Sequence, residues 1–311
     1  MAYYRSYKQL TSYQRRKHGM RGANPSNRRP KRRYSRKRRY TRKRPMSKRR
    51  ILNTSSRKKR NGMLTWSNTS STGASQPIGQ SNAYVNGAQA GYFLWSPTAM
   101  DLNATASVRN PALRTASTIF AKGLSEHLRM QSSSGIPWFH RRICFTHRGA
   151  SPFNAVSPSD NPTNPLQPYL DTSNGIERLF LNSTINNNPV TLTAQQGLIF
   201  KGAQNVDWSD FIIAPVDTSL INVKFDKTWT MQSGNANGFV RERKLWHPMG
   251  HNLVYNEDES GETETTSFFS TSSKAGMGDY YVLDLFSAGA SGTSSDVLLI
   301  AANSTMYWHE K

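Results

Sequence analysis

The chain reads Gly123-Leu124-Ser125-Glu126-His127-Leu128-Arg129-Met130-Gln131, a turn at residues 132–135, and then Ile136-Pro137-Trp138-Phe139-His140-Arg141-Arg142-Ile143-Cys144-Phe145. In the first run Leu124, Leu128 and Met130 alternate with Ser125, His127, Arg129 and Gln131, the period of a half-buried strand. Glu126 interrupts the apolar side, which suits a barrel rim or a subunit contact. The second run predicts a strand antiparallel to the first. Arg141 and Arg142 are neighbours and so face opposite sides of it. At most one of them points towards a bound polyanion, and the other is placed to pair with an acid.

Working outward, further strands are expected at residues 91–96, 176–181, 190–193, 198–201 and 211–215. Residues 220–231 place Ile221, Val223, Phe225, Trp229 and Met231 on one face, and a turn at 234–238 leads to a strand at 239–246. Residues 279–286 and 296–308 supply the last two. The connections are of unequal length. Residues 149–175 carry Pro152, Pro158, Pro162, Pro165 and Pro168, too many for regular structure. Residues 256–264 gather Glu257, Asp258, Glu259, Glu262 and Glu264 in what reads as a solvated loop directed to the outer surface. With no long helix and no internal repeat, the pattern predicts an all-β domain, an eight-stranded antiparallel jelly roll.

The N-terminal part is of a different kind. Of the 41 Lys and Arg in 311 residues, 25 lie in the first 60, where there is no acid; the first acid is Asp101. The remaining 16 bases face 19 acids, so the excess charge sits in one arm. Such a segment buries too little apolar surface to offset the entropy of ordering, and is expected to be disordered until it meets a polyanion. Its candidate nucleic-acid-binding residues are Arg28, Arg29, Lys31, Arg32, Arg33, Arg36, Lys37, Arg38, Arg39, Arg42, Lys43, Arg44, Lys48, Arg49, Arg50, Arg57, Lys58, Lys59 and Arg60. Interleaved tyrosines up to Tyr40 either stack on unpaired bases or act as spacers. Lys43, Arg44, Lys48, Arg49 and Arg50 also have the make-up of a nuclear-import cluster. Residues 61–90, rich in Ser, Asn, Gly and Gln, read as a polar linker, so that the folded domain spans 91–311.

No chemistry-bearing motif stands out. There is no phosphate-binding Gly-rich loop and no nucleophile elbow. His247 and His251 have zinc-helix spacing, but Pro248 and Gly250 break the helix. The acid-rich loop has Ser267 where an EF-hand requires Glu. Asp207, Asp210 and Asp217 have no evident partner. Single Cys144, with apolar neighbours, suggests a buried thiol and excludes an internal disulfide. No run of about 18 apolar residues occurs, and no apolar stretch follows the N-terminal charge, so neither a membrane span nor a secretion signal is expected. No enzyme activity, cofactor or metal is expected.

The pair Gly-Leu-x-Glu at 123–126 and Pro-Trp-x-x-Arg-Arg-Ile-x-Phe at 137–145 resembles the coat proteins of genomoviruses, and more distantly those of geminiviruses. Arm, linker and strand order are similar along most of the chain. The resemblance implies a jelly-roll subunit that associates with itself in a small icosahedral, T=1-like shell. It also implies assembly in the host nucleus, recognition by the nuclear-import machinery and a circular single-stranded DNA genome as partner. Two other classes compete. One is a non-viral nucleic-acid-binding structural protein with a basic tail; the other is a β-rich enzyme held on nucleic acid by the arm. The near-neutral domain weighs against the first and the missing motifs against the second.

Overall fold

A computed structural model describes residues 46–103 and 110–311. The chain divides at residue 48, and the second unit, 49–311, carries the sheets. A helix α1 (Lys48–Ser55) leads into β1 (Arg57–Met63), β2 (Thr65–Thr69), β3 (Ser75–Gly79), β4 (Ala83–Asn86) and β5 (Gly91–Trp95). Two long strands follow, β6 (Thr118–Ser132) and β7 (Trp138–His147). Short pieces come next: β8 (Asp171–Thr172), β9 (Gly175–Ile176), β10 (Arg178–Phe180) and the helix α2 (Pro189–Ile199). The chain ends with β11 (Asn222–Met231), β12 (Val240–Val254), the small hairpin β13 (Glu259–Ser260) and β14 (Thr263–Glu264), β15 (Asp279–Ala288) and β16 (Val297–Glu310). Among the described residues no helix is long and apolar enough to cross a membrane.

The protein is mostly β, and its main sheets are antiparallel. One sheet runs β1-β16-β6-β12, with β4 pairing the start of β16; the other runs β11-β7-β15-β5. Their facing sides enclose the core. Leu124 of β6, Met306 and Trp308 of β16, Cys144 of β7 and Tyr280 and Val282 of β15 belong to one buried cluster. The alternation of β6 changes phase at Lys122 and Gly123, so that Ile119 and Ala121 and then Leu124, Leu128 and Met130 all point inward. The bulge there is also seen in the registers with β12 and β16.

The second sheet is buried on both faces, which explains why its central strand β15 carries eight consecutive buried residues. Its other face packs Tyr92, Ile143, Phe145, Tyr281 and Leu283 against Phe153, Ile199, Phe200, Trp208 and Ile212. The Pro-rich connection and α2 therefore roof this sheet instead of lying loose on the surface.

Four expectations are corrected. β6 and β7 are not a hairpin: β7 pairs with β11 and β15, and the turn carries the chain from one sheet to the other. Residues 61–90 are not a linker, since β1 to β4 fall within 57–86. The polar side chains of Ser67, Asn68 and Thr69 in β2 are buried and bonded: Asn68 Oδ1 accepts from Asn182 N at 2.7 Å, and Thr69 Oγ1 from Tyr84 N at 2.8 Å. Residues 190–193 and 198–201 are not two strands, because 189–199 form α2, begun by Pro189 at its first turn. Residues 211–215 form turns and no strand.

Candidate nucleic-acid interface

Arg28, Arg29, Lys31, Arg32, Arg33, Arg36, Lys37, Arg38, Arg39, Arg42, Lys43 and Arg44, with the interleaved tyrosines, lie outside the described residues. Lys48, Arg49 and Arg50 fall in α1, and Arg57 to Arg60 in β1, at the edge of the first sheet. Lys59 is corrected as a nucleic-acid ligand. It is buried; its Nζ lies 2.7 Å from Glu310 Oε2 and donates to Leu113 O and Thr115 Oγ1, both at 2.8 Å. Burial tends to raise the Glu310 carboxyl, yet hydrogen bonds from Lys59, Thr115 and Trp308 hold it below the usual range. Arg57, Lys58 and Arg60 are exposed.

The register aligns outward-facing residues in rows across the first sheet. Lys58, His309, Phe120 and Asn252 make one row over β1, β16, β6 and β12. Arg60 lies beside Tyr307, and Gly62, Thr305, Ser125 and Trp246 make another row. Beyond them come Asn303, His127 and Lys244, then Ala301, Arg129 and Glu242. Lys58, Arg60, Lys122, Arg129 and Lys244 are exposed on this face. Among the described residues of these rows Glu242 is the sole carboxylate, 3.4 Å from His127. Trp246 is 48% exposed, and its ring lies 5.9 Å from that of Tyr307. A Cβ on Gly123 would come within 2.7 Å of that indole, so the glycine leaves room for the ring where it lies. Cations interleaved with exposed rings suit a single-stranded nucleic acid, whose phosphates need charge and whose bases offer faces to stack. Net charge hides this face, because the acids of the domain lie elsewhere. The signal available in sequence was the polar side of each alternating strand, but only the register joins those sides.

Between the sheets lies a second constellation. Arg142 of β7 donates from Nε and Nη2 to Asp284 of β15 at 2.7 and 2.8 Å, and from Nη1 to Glu126 of β6. Arg178 of β10 donates to Glu126 at 3.0 Å and to Asp284 at 2.7 Å, and stacks over Trp95 and Phe180. Ser304 Oγ donates to Glu126 at 2.8 Å. All four charged side chains are buried and their charges cancel. Burial raises the two carboxyls, but the guanidinium of Arg142, followed by further partners including Arg178, lowers both, Asp284 well below the ordinary range. Glu126 is therefore neither a rim residue nor a subunit contact. It joins the two quoted motifs, as the partner of Arg142. Arg141, on the opposite side of β7, pairs with Asp226 at 2.7 Å and donates to the carbonyls of Phe211 and Ala214. Both arginines are thus committed to the fold.

His140 and His247 border this network. His140 Nε2 bonds Asp284 at 2.8 Å and Arg243 donates to its Nδ1 at 3.2 Å; burial pushes its pKa down to about 4. Burial, followed by the Arg142 charge, does the same to His247, also to about 4. His247 points inward from β12 and His251 is exposed. Among the described residues no group of three or more His, Cys, Asp and Glu is placed to hold a metal. Cys144 is buried beside His247, and burial pushes its thiol up to about 12. Asp207, Asp210 and Asp217 each cap a turn through a backbone N–H at 2.8 Å. The acid-rich loop is exposed except for Glu257, whose carboxylate is buried against Arg114. No protein-family model matches the chain, and no curated protein matches it.

Proposed function

We propose that this chain is the coat protein of a small single-stranded DNA virus, a jelly-roll subunit that closes into an icosahedral, T=1-like shell around a circular genome. The observation that carries this is where the basic arm enters the fold. It runs into the edge strand of a sheet whose outer face is itself basic and aromatic. Arg57, Lys58 and Arg60 of β1 join the exposed cations of that sheet face, and a shell with the face inward would hold DNA against its wall.

The connectivity supports the jelly roll. The chain alternates between the sheets from β4 to β5 to β6 to β7, and again from β11 to β12 to β15 to β16. Eight strands are thereby divided into the orders β4-β16-β6-β12 and β5-β15-β7-β11, as two interlocked Greek keys would divide them. Nuclear import through Lys43, Arg44, Lys48, Arg49 and Arg50 would bring the subunit to where the genome is copied.

The basic sheet face also favours a second reading, a non-viral nucleic-acid-binding structural protein with a basic tail, since such a domain carries its own positive surface. Assembly separates the two. Full-length protein, purified in high salt and brought to low salt with circular single-stranded DNA, is sized by light scattering and negative-stain microscopy. The coat protein gives closed particles of one diameter. The second reading gives irregular protein–DNA complexes and a monomer without DNA.

A further inference from the structure

At one end of the basic face a cavity of about 830 Å³ opens between β6, β12, β16 and Ser56, the residue before β1, within the range of sites that enclose small ligands. Ser56, Phe120, Lys122, Asn252, His309 and Lys311 line it. Phe120 and His309 are cross-strand neighbours with ring centroids 6.0 Å apart. Lys58 and Asn252 extend the same row on either side. Burial, followed by the charges of Lys122 and Lys58, lowers the pKa of His309 and so disfavours its imidazolium form beside these cations. The carboxylate in the wall, Glu310, is bound to Lys59 and Thr115. The hydroxyl of Ser56, the residue by which the chain enters the sheet, is buried with no hydrogen-bond partner.

Two tilted aromatic rings, an amide and flanking lysines around one concave space match the parts of a nucleotide. The rings offer a face to a base, the amide can bond its edge, and the lysines meet phosphate. We propose that this cavity seats one unpaired nucleotide of the bound single-stranded DNA, its base against Phe120 and His309 and its phosphate at Lys122 and Lys58. The inference rests on the nucleic-acid reading above but goes beyond charge: one base per subunit leaves the strand's stack and enters the wall. Paired bases cannot do so, which gives the sheet face a preference for single strands that the arm alone lacks.

The test uses full-length protein and fluorescence anisotropy over a salt series. Its three probes are a ten-nucleotide oligo(dT), the same backbone made of abasic units, and a ten-base-pair duplex. Phe120→Ala is expected to weaken oligo(dT) binding about tenfold, to leave the abasic strand and duplex unchanged, and to leave the salt slope unchanged. Phe120→Trp, which retains a ring, is expected to bind like the parent and controls for loss of fold. Saturation transfer from the protein to the base protons of dTMP is expected in the parent and absent in Phe120→Ala. Equal losses on oligo(dT) and abasic strand, or no loss on either, overturn the nucleotide seat, as does a change confined to particle size. Those outcomes leave the coat reading standing. Failure of the parent to bind any of the three probes overturns both.

Discussion

Replacing Glu126 by Gln tests whether the buried charge network holds the sandwich together. The substitution keeps the side chain's shape and removes one of two negative charges, so Arg142 and Arg178 are left with Asp284 alone and the interior carries a net positive charge. Removing one member of a buried ion pair costs about 3 to 5 kcal/mol, because the surviving charge is desolvated without compensation. For a domain of this size that is a drop in melting temperature of roughly 6 to 20 °C. Glu242→Gln is the control, since its contact with His127 is exposed on both sides and such pairs contribute under about 1 kcal/mol. Arg178→Met alone should be comparably harmful. Joined to Glu126→Gln it restores neutrality around the two-pronged Arg142–Asp284 pair, so the double variant should recover about 1 to 3 kcal/mol relative to the sum of the singles. Urea unfolding in high salt at fixed protein concentration, followed by tryptophan fluorescence, reads this directly, because Trp95 lies 4.3 Å from the Arg178 guanidinium. Strict additivity, or a Glu126→Gln variant within about 1 kcal/mol of the parent, would refute the reasoning.

The fold also has an acid limit set by His140 and His247. Both have folded-state pKa values lowered to about 4, so the unfolded chain binds more protons between about pH 6.5 and 4; stability should be full above that window and fall through it, as seen in urea midpoints across pH. Asp279 has the opposite sign: burial raises it to about 6, so its contribution is lost as pH rises through 6, and Asp279→Asn should hold or raise stability at pH 7.5. Deleting residues 1–45 should leave a folded, soluble domain, whereas deleting 1–60 removes most of β1 and strands the buried Glu310 without Lys59; circular dichroism and sizing should show loss of fold or aggregation only for the longer deletion. If the arm neutralises even ten phosphates of a single strand, log affinity against log salt should have a slope of roughly −7, and most of that slope should vanish in the 46–311 protein. Lys244→Ala and Arg129→Ala should each lower what remains by about 0.7.

Much of the β architecture was legible because strands with one wet face alternate. The two-fold period of β6 and β11 identifies them, and the apolar runs of β5 and β15 suit strands covered on both faces. Strand β2 escaped because Ser67, Asn68 and Thr69 are buried through hydrogen bonds and not through apolar contact, a property that leaves no periodic trace. The helix α2 was hidden by its β-branched Val190, Thr191 and Thr193, though Asn188-Pro189 was a usable start signal. The short turn before Trp138 suggested a hairpin, since nothing local distinguishes a turn within a sheet from one that crosses between two. Glu126 was visible as the one break in an apolar face, but its partners Arg142 and Arg178 lie on two other strands, and Asp284, which shares both arginines, lies on a third. The basic face was invisible for the same reason: Lys58, Lys122, Arg129 and Lys244 become neighbours through register, and a sum of charges averages them against acids elsewhere.

The most direct test of the central claim is nuclease treatment of assembled full-length protein, followed by sizing of the particles and of the nucleic acid they retain. A coat protein of the proposed kind yields particles of one diameter that protect circular single-stranded DNA, with protection lost in the 46–311 protein. DNA digested as fast as free DNA, with protein that stays monomeric at every salt concentration, would contradict it.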